Sequence, residues 1–194
     1  MTKNSKFADA SVLGLAGFVV AQALLNIPNA HLVPAEATPL FLTAAFFCGG
    51  LIQLIVGVFE FLKGNTFGTV VFGIYGSFFC SLALFIYFML NGVLKFGTAT
   101  GAALGTFLLV WSIFTLPVMI VSFKERKLLG WLFLFVELAF LGGAFSNLAG
   151  INSAIGGWCG IISAGIGLYM VTESLLRAVA PGQVHEVKHM TMEA

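Results

Sequence analysis

Long apolar stretches separated by short polar ones dominate the chain. Six windows, near residues 10–27, 39–61, 66–90, 100–122, 128–149 and 154–176, run on Phe, Leu, Gly and Ala without turn signals. About 20 helical residues cross a hydrocarbon core, and each window approaches or exceeds that length. A membrane barrel would instead alternate polar and apolar positions in short strands. The pattern predicts an all-α membrane protein of six transmembrane helices. It divides into an N-terminal segment (1–9), a six-helix domain (10–176) and a C-terminal tail (177–194). Lys3 and Lys6 ahead of the first window resemble the basic start of a signal peptide. No small-x-small cleavage pattern closes that window and five more spans follow, so it reads as a retained helix.

Composition explains why lipid must take part. Hydrophobic residues make up 59% of the 194 residues, charged residues 9%, and mean hydropathy is +1.03. A soluble domain carries about 25% charged residues; here the polar surface is too small to cover a globule. Charge then sets orientation. With six spans, Lys3, Lys6, Lys63, Lys124, Arg126, Lys127, Arg177 and Lys188 fall on the side of both termini, and Lys95 alone falls on the other. Basic loops stay cytoplasmic, which predicts that both termini face the cytoplasm of a cell membrane.

Few residues offer catalytic chemistry. Cys48, Cys80 and Cys159 lie in or beside spans without CxxC spacing and read as small apolar packing groups. His31, His185 and His189 are scattered. The stretch "HEVKH" at 185–189 is not HExxH, and a polar tail cannot fix a zinc shell. No phosphate loop, Ser-His-Asp order or basic nucleic-acid patch occurs. The expectation is a non-enzyme with no metal, no cofactor and no nucleic-acid partner.

The chain also echoes itself. "LGLAGF" at 13–18 and "FGIYGSF" at 72–78 both open odd-numbered helices with spaced glycines, placing Phe18 57 residues before Tyr75, with Val136 a further 61 on. In the even-numbered helices, Gly57-Val58-Phe59, Ser112-Ile113-Phe114 and Gly167-Leu168-Tyr169 recur at steps of 55. Three copies of a helical hairpin would gather equivalent residues around a pseudo-threefold axis, and transporters commonly place their site between internal repeats.

Three stretches carry a further resemblance: "LGLAGF" at 13–18, "FEFLKGNTFGTVVFGIYGSF" at 59–78 and "SNLAG" at 146–150. Together with the length, six spans and short loops, they resemble the acetate uptake transporter family of bacteria, archaea and fungi over essentially the whole chain. The KGNTFG-to-YGSF block is the specific part. The resemblance implies a homohexamer with a pore in each protomer, taking up acetate and, in some members, succinate, by proton symport or a channel-like route. It implies an apolar constriction at Phe18, Tyr75 and Val136, with Leu134 or Leu138 replacing Val136 if the register shifts. It places Leu13, Gly14 and Leu15 on the substrate pathway and aligns Gly167 with a pore-facing position. The family's opening Asn-Pro-Ala-Pro is replaced here by "DASV" at 9–12. Asp9 stands where it can accept from the free amides of the first helical turn.

Among polar residues within the spans, Gln53, Ser77, Thr115 and Asn147 are pathway candidates, beside Ser81, Ser112 and Ser163; each also fits an ordinary interhelical bond. The Tyr75 hydroxyl reads either as a donor to a passing carboxylate or as a buried group bonded to a neighbouring helix. Glu137 sits at mid-span, where an acid costs about 2.5–3.5 kcal/mol. It shares a stripe with Gly130 and Ala144, which suits a close-packed face between protomers, and it reads as a hydrogen-bonded carboxyl or as a proton-coupling group. Glu60 and Glu173, nearer the helix ends, are expected to reach water. Gly101, Gly105, Gly156, Gly157 and Gly160 are expected to permit close approach of helices on assembly. Two further function classes fit six short helices: a channel for neutral solutes such as urea or amides, and a scaffold without a pore.

Overall fold

A computed structural model of the chain describes residues 8–179. Lys3, Lys6, His185, Lys188, His189 and most of the tail lie outside the described residues. The first helix, α1, is Ser11–Asn29; α2 joins α-helical Leu40–Ala44, π-helical Ala45–Ile52 and α-helical Gln53–Leu62. Helix α3 is Thr66–Leu90, α4 Thr100–Glu125, α5 Lys127–Ala149 and α6 Ala154–Val179. All six are long and apolar enough to cross a membrane, and the protein is a multi-pass membrane protein. Among the described residues there is no strand.

Local chemistry explains the breaks. Asn65 accepts from the amide of Gly68 at 3.1 Å and caps the start of α3, the usual work of an N-cap amide. A single extended residue, Arg126, separates α4 from α5. Gly150 takes the left-handed conformation that ends α5 (φ 67°), which costs glycine nothing for want of a β-carbon. The π-helical stretch was not expected. It lies where α2 meets α1 and α3, and a β-carbon at Gly17 would collide with the carbonyl oxygen of Cys48 within it.

The helices form a closed ring. Helix α2 lies along α3, α4 along α5, and α6 along both α5 and α1. Stacked rings of Phe78 with Phe107 and Phe85 with Phe107, and the edge contact of Phe78 with Trp111, close α3 onto α4. Inside the ring, α1, α3 and α5 each contribute a buried stripe at every fourth residue. Its layers are Gly14, Val71 and Leu132; Phe18, Tyr75 and Val136; Gln22, Phe79 and Phe140; and Asn26, Ala83 and Ala144. The even-numbered helices bury Gly50, Gly105 and Gly160, then Gly57, Ser112 and Gly167, then Glu60, Thr115 and Met170. Between these positions Val58, Ile113 and Leu168 face outward.

Three expectations are corrected by this packing. Gly101 and Gly105 press against Asn147, Leu148 and Ala144 of α5, while Gly156, Gly157 and Gly160 press against Gly142, Asn29, Ala30 and Asn26. These small residues bring helices of one protomer together and are not free for assembly. The Gly130–Glu137–Ala144 stripe is buried within the protomer too, with Gly130 under Phe123 and Glu137 against Ser112 of α4. Glu60 does not reach water: it is 2% exposed, since the turn after α2 folds Lys63 and Asn65 back over it.

Candidate functional site: two cavities meeting at a shared layer

Two cavities enter the ring from opposite ends. The one at the end of the helix starts α1, α3 and α5 holds about 250 Å³ and is lined by Leu15, Phe18, Gln53, Tyr75, Arg126 and Leu132, among others. The other, about 140 Å³, is lined by Gln22, Asn26, Val136, Phe140, Asn147 and Ser153, among others. Within the layer of Phe18, Tyr75 and Val136, the first two line the larger cavity and Val136 lines the smaller, and the two cavities share no lining residue. All three are buried. Val136 points inward, whereas Leu138 is exposed on the outer face and Leu134 lines neither cavity. Phe18 meets the edge of Phe79 at 6.3 Å between ring centres, and Tyr75 lies 5.4 Å from Phe133.

The remaining pathway candidates separate. Leu15 and Gln53 line the larger cavity and Asn147 the smaller. Leu13 is half exposed on the outer face. Gly14 packs against Phe72 and Val56, and Gly167 against Val19, so neither opens onto a cavity. Ser77 donates to the carbonyl of Gly73 at 2.9 Å within its own helix. Thr115 lies behind Tyr75, whose hydroxyl donates to its Oγ1 at 2.8 Å. Glu137 lines neither cavity; its Oε1 accepts from Ser112 Oγ at 2.5 Å, and its Oε2 has no protein partner.

Each end is drawn together by polar contacts. At the wider cavity, Lys63 Nζ donates to Glu60 at 2.9 Å and to Asp9 at 3.2 Å, and Asn65 donates to Glu60 at 2.6 Å. Asp9 stands one residue before the helix cap, Ala10, and accepts from the Ser11 amide at 3.2 Å and the Ser11 hydroxyl at 2.8 Å. Burial opposes the Asp9 charge, but the bonds from Ser11 and Lys63 outweigh it and hold the carboxyl below its ordinary value. Burial likewise opposes the Lys63 charge, and the bonds to Glu60 and Asp9 hold it above its ordinary value. Arg126 donates to Glu173, which also accepts from Arg177 at 2.5 Å. At the other end, the His31 ring bonds Ser153 Oγ at 3.1 Å and Ser153 bonds the Asn29 carbonyl at 3.1 Å, joining the α1–α2 and α5–α6 connections.

Sequence reasoning missed Gln22, Asn26, Phe133 and the rim residue Arg126 as site residues. A signal for the first two was available. They stand four and eight residues after Phe18, so one helical face carries all three. Gln22 donates to Ser163 at 3.1 Å and Asn26 to the carbonyl of Gln22 at 2.8 Å.

Six membrane-crossing helices in a ring, with cavities entering from both ends, define a membrane transport protein. The chain belongs to the GPR1/FUN34/yaaH family, whose sequence profile matches residues 1–190. It is similar to the succinate-acetate/proton symporter SatP of Escherichia coli, 32% identical over 191 residues, covering 94% of this chain and 99% of that protein. Acetate permease A of Emericella nidulans is 32% identical over 146 residues, 70% of this chain and 48% of the permease. Among solved structures, the bacterial acetate channel SatP superposes with a TM-score of 0.81 at 30% identity, covering 89% of this chain and 94% of that one.

Proposed function

We propose that the chain carries acetate and related small carboxylates, succinate among them, across the membrane by a path inside each protomer. The observation that carries this is the placing of two cavities at opposite ends of the helices, with the buried apolar layer of Phe18, Tyr75 and Val136 divided between their linings. Such a layer strips water from a solute and fits a methyl group. The polar groups on either side bind weakly enough to release it, as conduction requires. The similarity to proteins named for acetate supports the same substrate class. Labelled-acetate flux into proteoliposomes, with urea as comparison and with or without an imposed pH gradient, tests the reading. Acetate flux well above urea is expected, and equal flux of both would overturn it. Urea matters because, among the described residues, no charged side chain lines the smaller cavity, the observation that favours a channel for neutral solutes as the second reading.

Three further readings belong to the same proposal. Lys63, Lys124, Arg126, Lys127 and Arg177 belong to one end and Lys95 to the other, which supports cytoplasmic termini. A cysteine beside Lys95 should react with an impermeant thiol reagent from outside, and one beside Arg126 should not, once native cysteines are removed. The buried layers at steps of 57 and 61 in odd helices and 55 in even ones support a threefold repeat of hairpins. Assembly as a homohexamer is the state that the family resemblance suggests, and light-scattering mass in mild detergent tests it.

A further inference from the structure

We propose that Thr115 and the Ser112–Glu137 pair are positioning residues that set the aperture of the constricting layer, and that Tyr75 faces the path with its ring while its hydroxyl serves as a strut. The inference rests on reading Phe18, Tyr75 and Val136 as the constriction. Helix α4 supplies none of those three residues, yet it stands behind two of them. Ser112 and Thr115, three residues apart on one face of α4, are 2% and 0% exposed.

The hydrogen bonds have a fixed order. Thr115 Oγ1 donates to the carbonyl of Trp111 at 2.8 Å, so its proton is used and it can only accept from Tyr75. The Tyr75 proton is therefore committed to Thr115 at 2.8 Å. What the phenol still offers the path is acceptor lone pairs, and an ionised carboxylate has no proton to give them. The hydroxyl does not serve as a carboxylate ligand in this arrangement; it fixes the angle at which the ring stands. Val136 is fixed through its neighbour. Glu137 reaches back to Ser112 at 2.5 Å, which pins α5 to α4 at the residue beside the layer. Phe18 has no such anchor and rests on the edge of Phe79.

The test measures uptake of succinate relative to acetate in proteoliposomes, with KM and maximal rate for acetate taken separately. Thr115→Val keeps the shape and removes the acceptor; Tyr75→Phe removes the donor. Each should raise the succinate-to-acetate ratio about threefold, the scale of one interhelical hydrogen bond in a membrane. The double variant should add nothing, Thr115→Ser should match the parent, and the acetate KM should hold. Glu137→Gln, which can still accept from Ser112, should keep the parent ratio, whereas Glu137→Leu should raise it. A raised acetate KM in Tyr75→Phe alone, or an unchanged ratio in Thr115→Val beside a changed one in Val136→Ala, would overturn the strut. An unchanged ratio in Val136→Ala and Phe18→Ala would instead remove the constriction itself. Where Thr115→Val is not recovered as a monodisperse protein, Tyr75→Phe decides from the other side of the bond.

Discussion

The two cavities are built from similar apolar walls but treat their polar groups in opposite ways. In the smaller one, Gln22, Asn26 and Asn147 each spend a side-chain N–H on the protein, on Ser163, the Gln22 carbonyl and the Gly143 carbonyl respectively, and among the described residues no charged side chain lines it. In the larger one, Gln53 is 1% exposed with its Nε2 bonded to nothing among the described residues, and Arg126 stands at the rim. Leaving a buried donor without a partner costs about 1–3 kcal/mol. The difference teaches where the chain spends order and where it keeps binding capacity. One cavity is a packed polar frame, and the other holds a buried donor that no described residue uses, below a rim where Glu125 stands beside Arg126 and Arg126 is paired with Glu173.

The sharpest break of this comparison comes from adding one carbon to a glycine at each cavity. Gly157→Ala would drive a β-carbon into the backbone of Asn29 and Ala30, where α6 meets the end of α1. Gly68→Ala would meet side chains and no backbone among its nearest neighbours, Asn65 Nδ2 at 2.7 Å, Glu60 Oε2 at 2.9 Å and Glu60 Cγ at 3.0 Å. Overpacking costs about 1–3 kcal/mol where the backbone cannot yield. Thermal unfolding in detergent should show Gly157→Ala strongly destabilised and Gly68→Ala much less so. Equal losses would mean the two ends are equally rigid.

Next in size is the pair of glutamines. Gln22→Leu breaks the bond to Ser163 and should lower stability by about 0.6 kcal/mol, the usual worth of an interhelical bond in a membrane. Gln53→Leu removes a donor that the protein itself leaves unpaired. It should keep or raise the melting temperature while acetate uptake falls at low substrate concentration. Matching behaviour of the two variants in both assays would erase the distinction between frame and binding surface.

Most of this architecture was legible in the sequence. The six windows match the observed helices to within a few residues because unbroken apolar length is a demand of the bilayer, independent of tertiary detail. The family resemblance pointed to Val136 with Leu134 and Leu138 as alternatives, and of the three it is Val136 that lines a cavity. What escaped was set by contact between helices distant in sequence. Glu60 looked water-bound from its place near a helix end; its burial depends on a turn that brings Lys63 and Asn65 back over it. The glycines at 101, 105, 156, 157 and 160 announced close approach but could not say to which helix. The π-helical stretch leaves no mark in composition, since its residues are those of any apolar span.

The smallest expected effect lies at the rim. Because the Asp9 carboxyl is held below its ordinary value of 3.8, its contribution to stability is complete above that value and is lost as pH falls through the lowered one. Lys63, held above 10.5, contributes fully below that value and loses its share as pH rises beyond it. The pair is partly open to solvent, so it is worth about 0.2–1 kcal/mol. Asp9→Asn should lower the melting temperature by a degree or two across the neutral range and match the parent once the pH has fallen through the lowered value, so that its acid limb is flatter. An acid limb as steep as the parent's would assign that loss to other carboxylates.

The proposed constriction between the two cavities would also have an electrical consequence. Water in the cavities would carry the potential of each bulk phase inward, and the transmembrane field would then concentrate across the layer of Phe18, Tyr75 and Val136. A unit charge crossing that layer traverses nearly the whole voltage, about 2.3 kcal/mol per 100 mV, over the depth of a few side chains. For an anion entering a cell that is negative inside, the work is unfavourable. An acetate ion moving alone would generate a current, whereas one moving with a proton would not. Electrogenicity in a patch or on a supported membrane therefore reads directly on what accompanies the substrate through those three side chains.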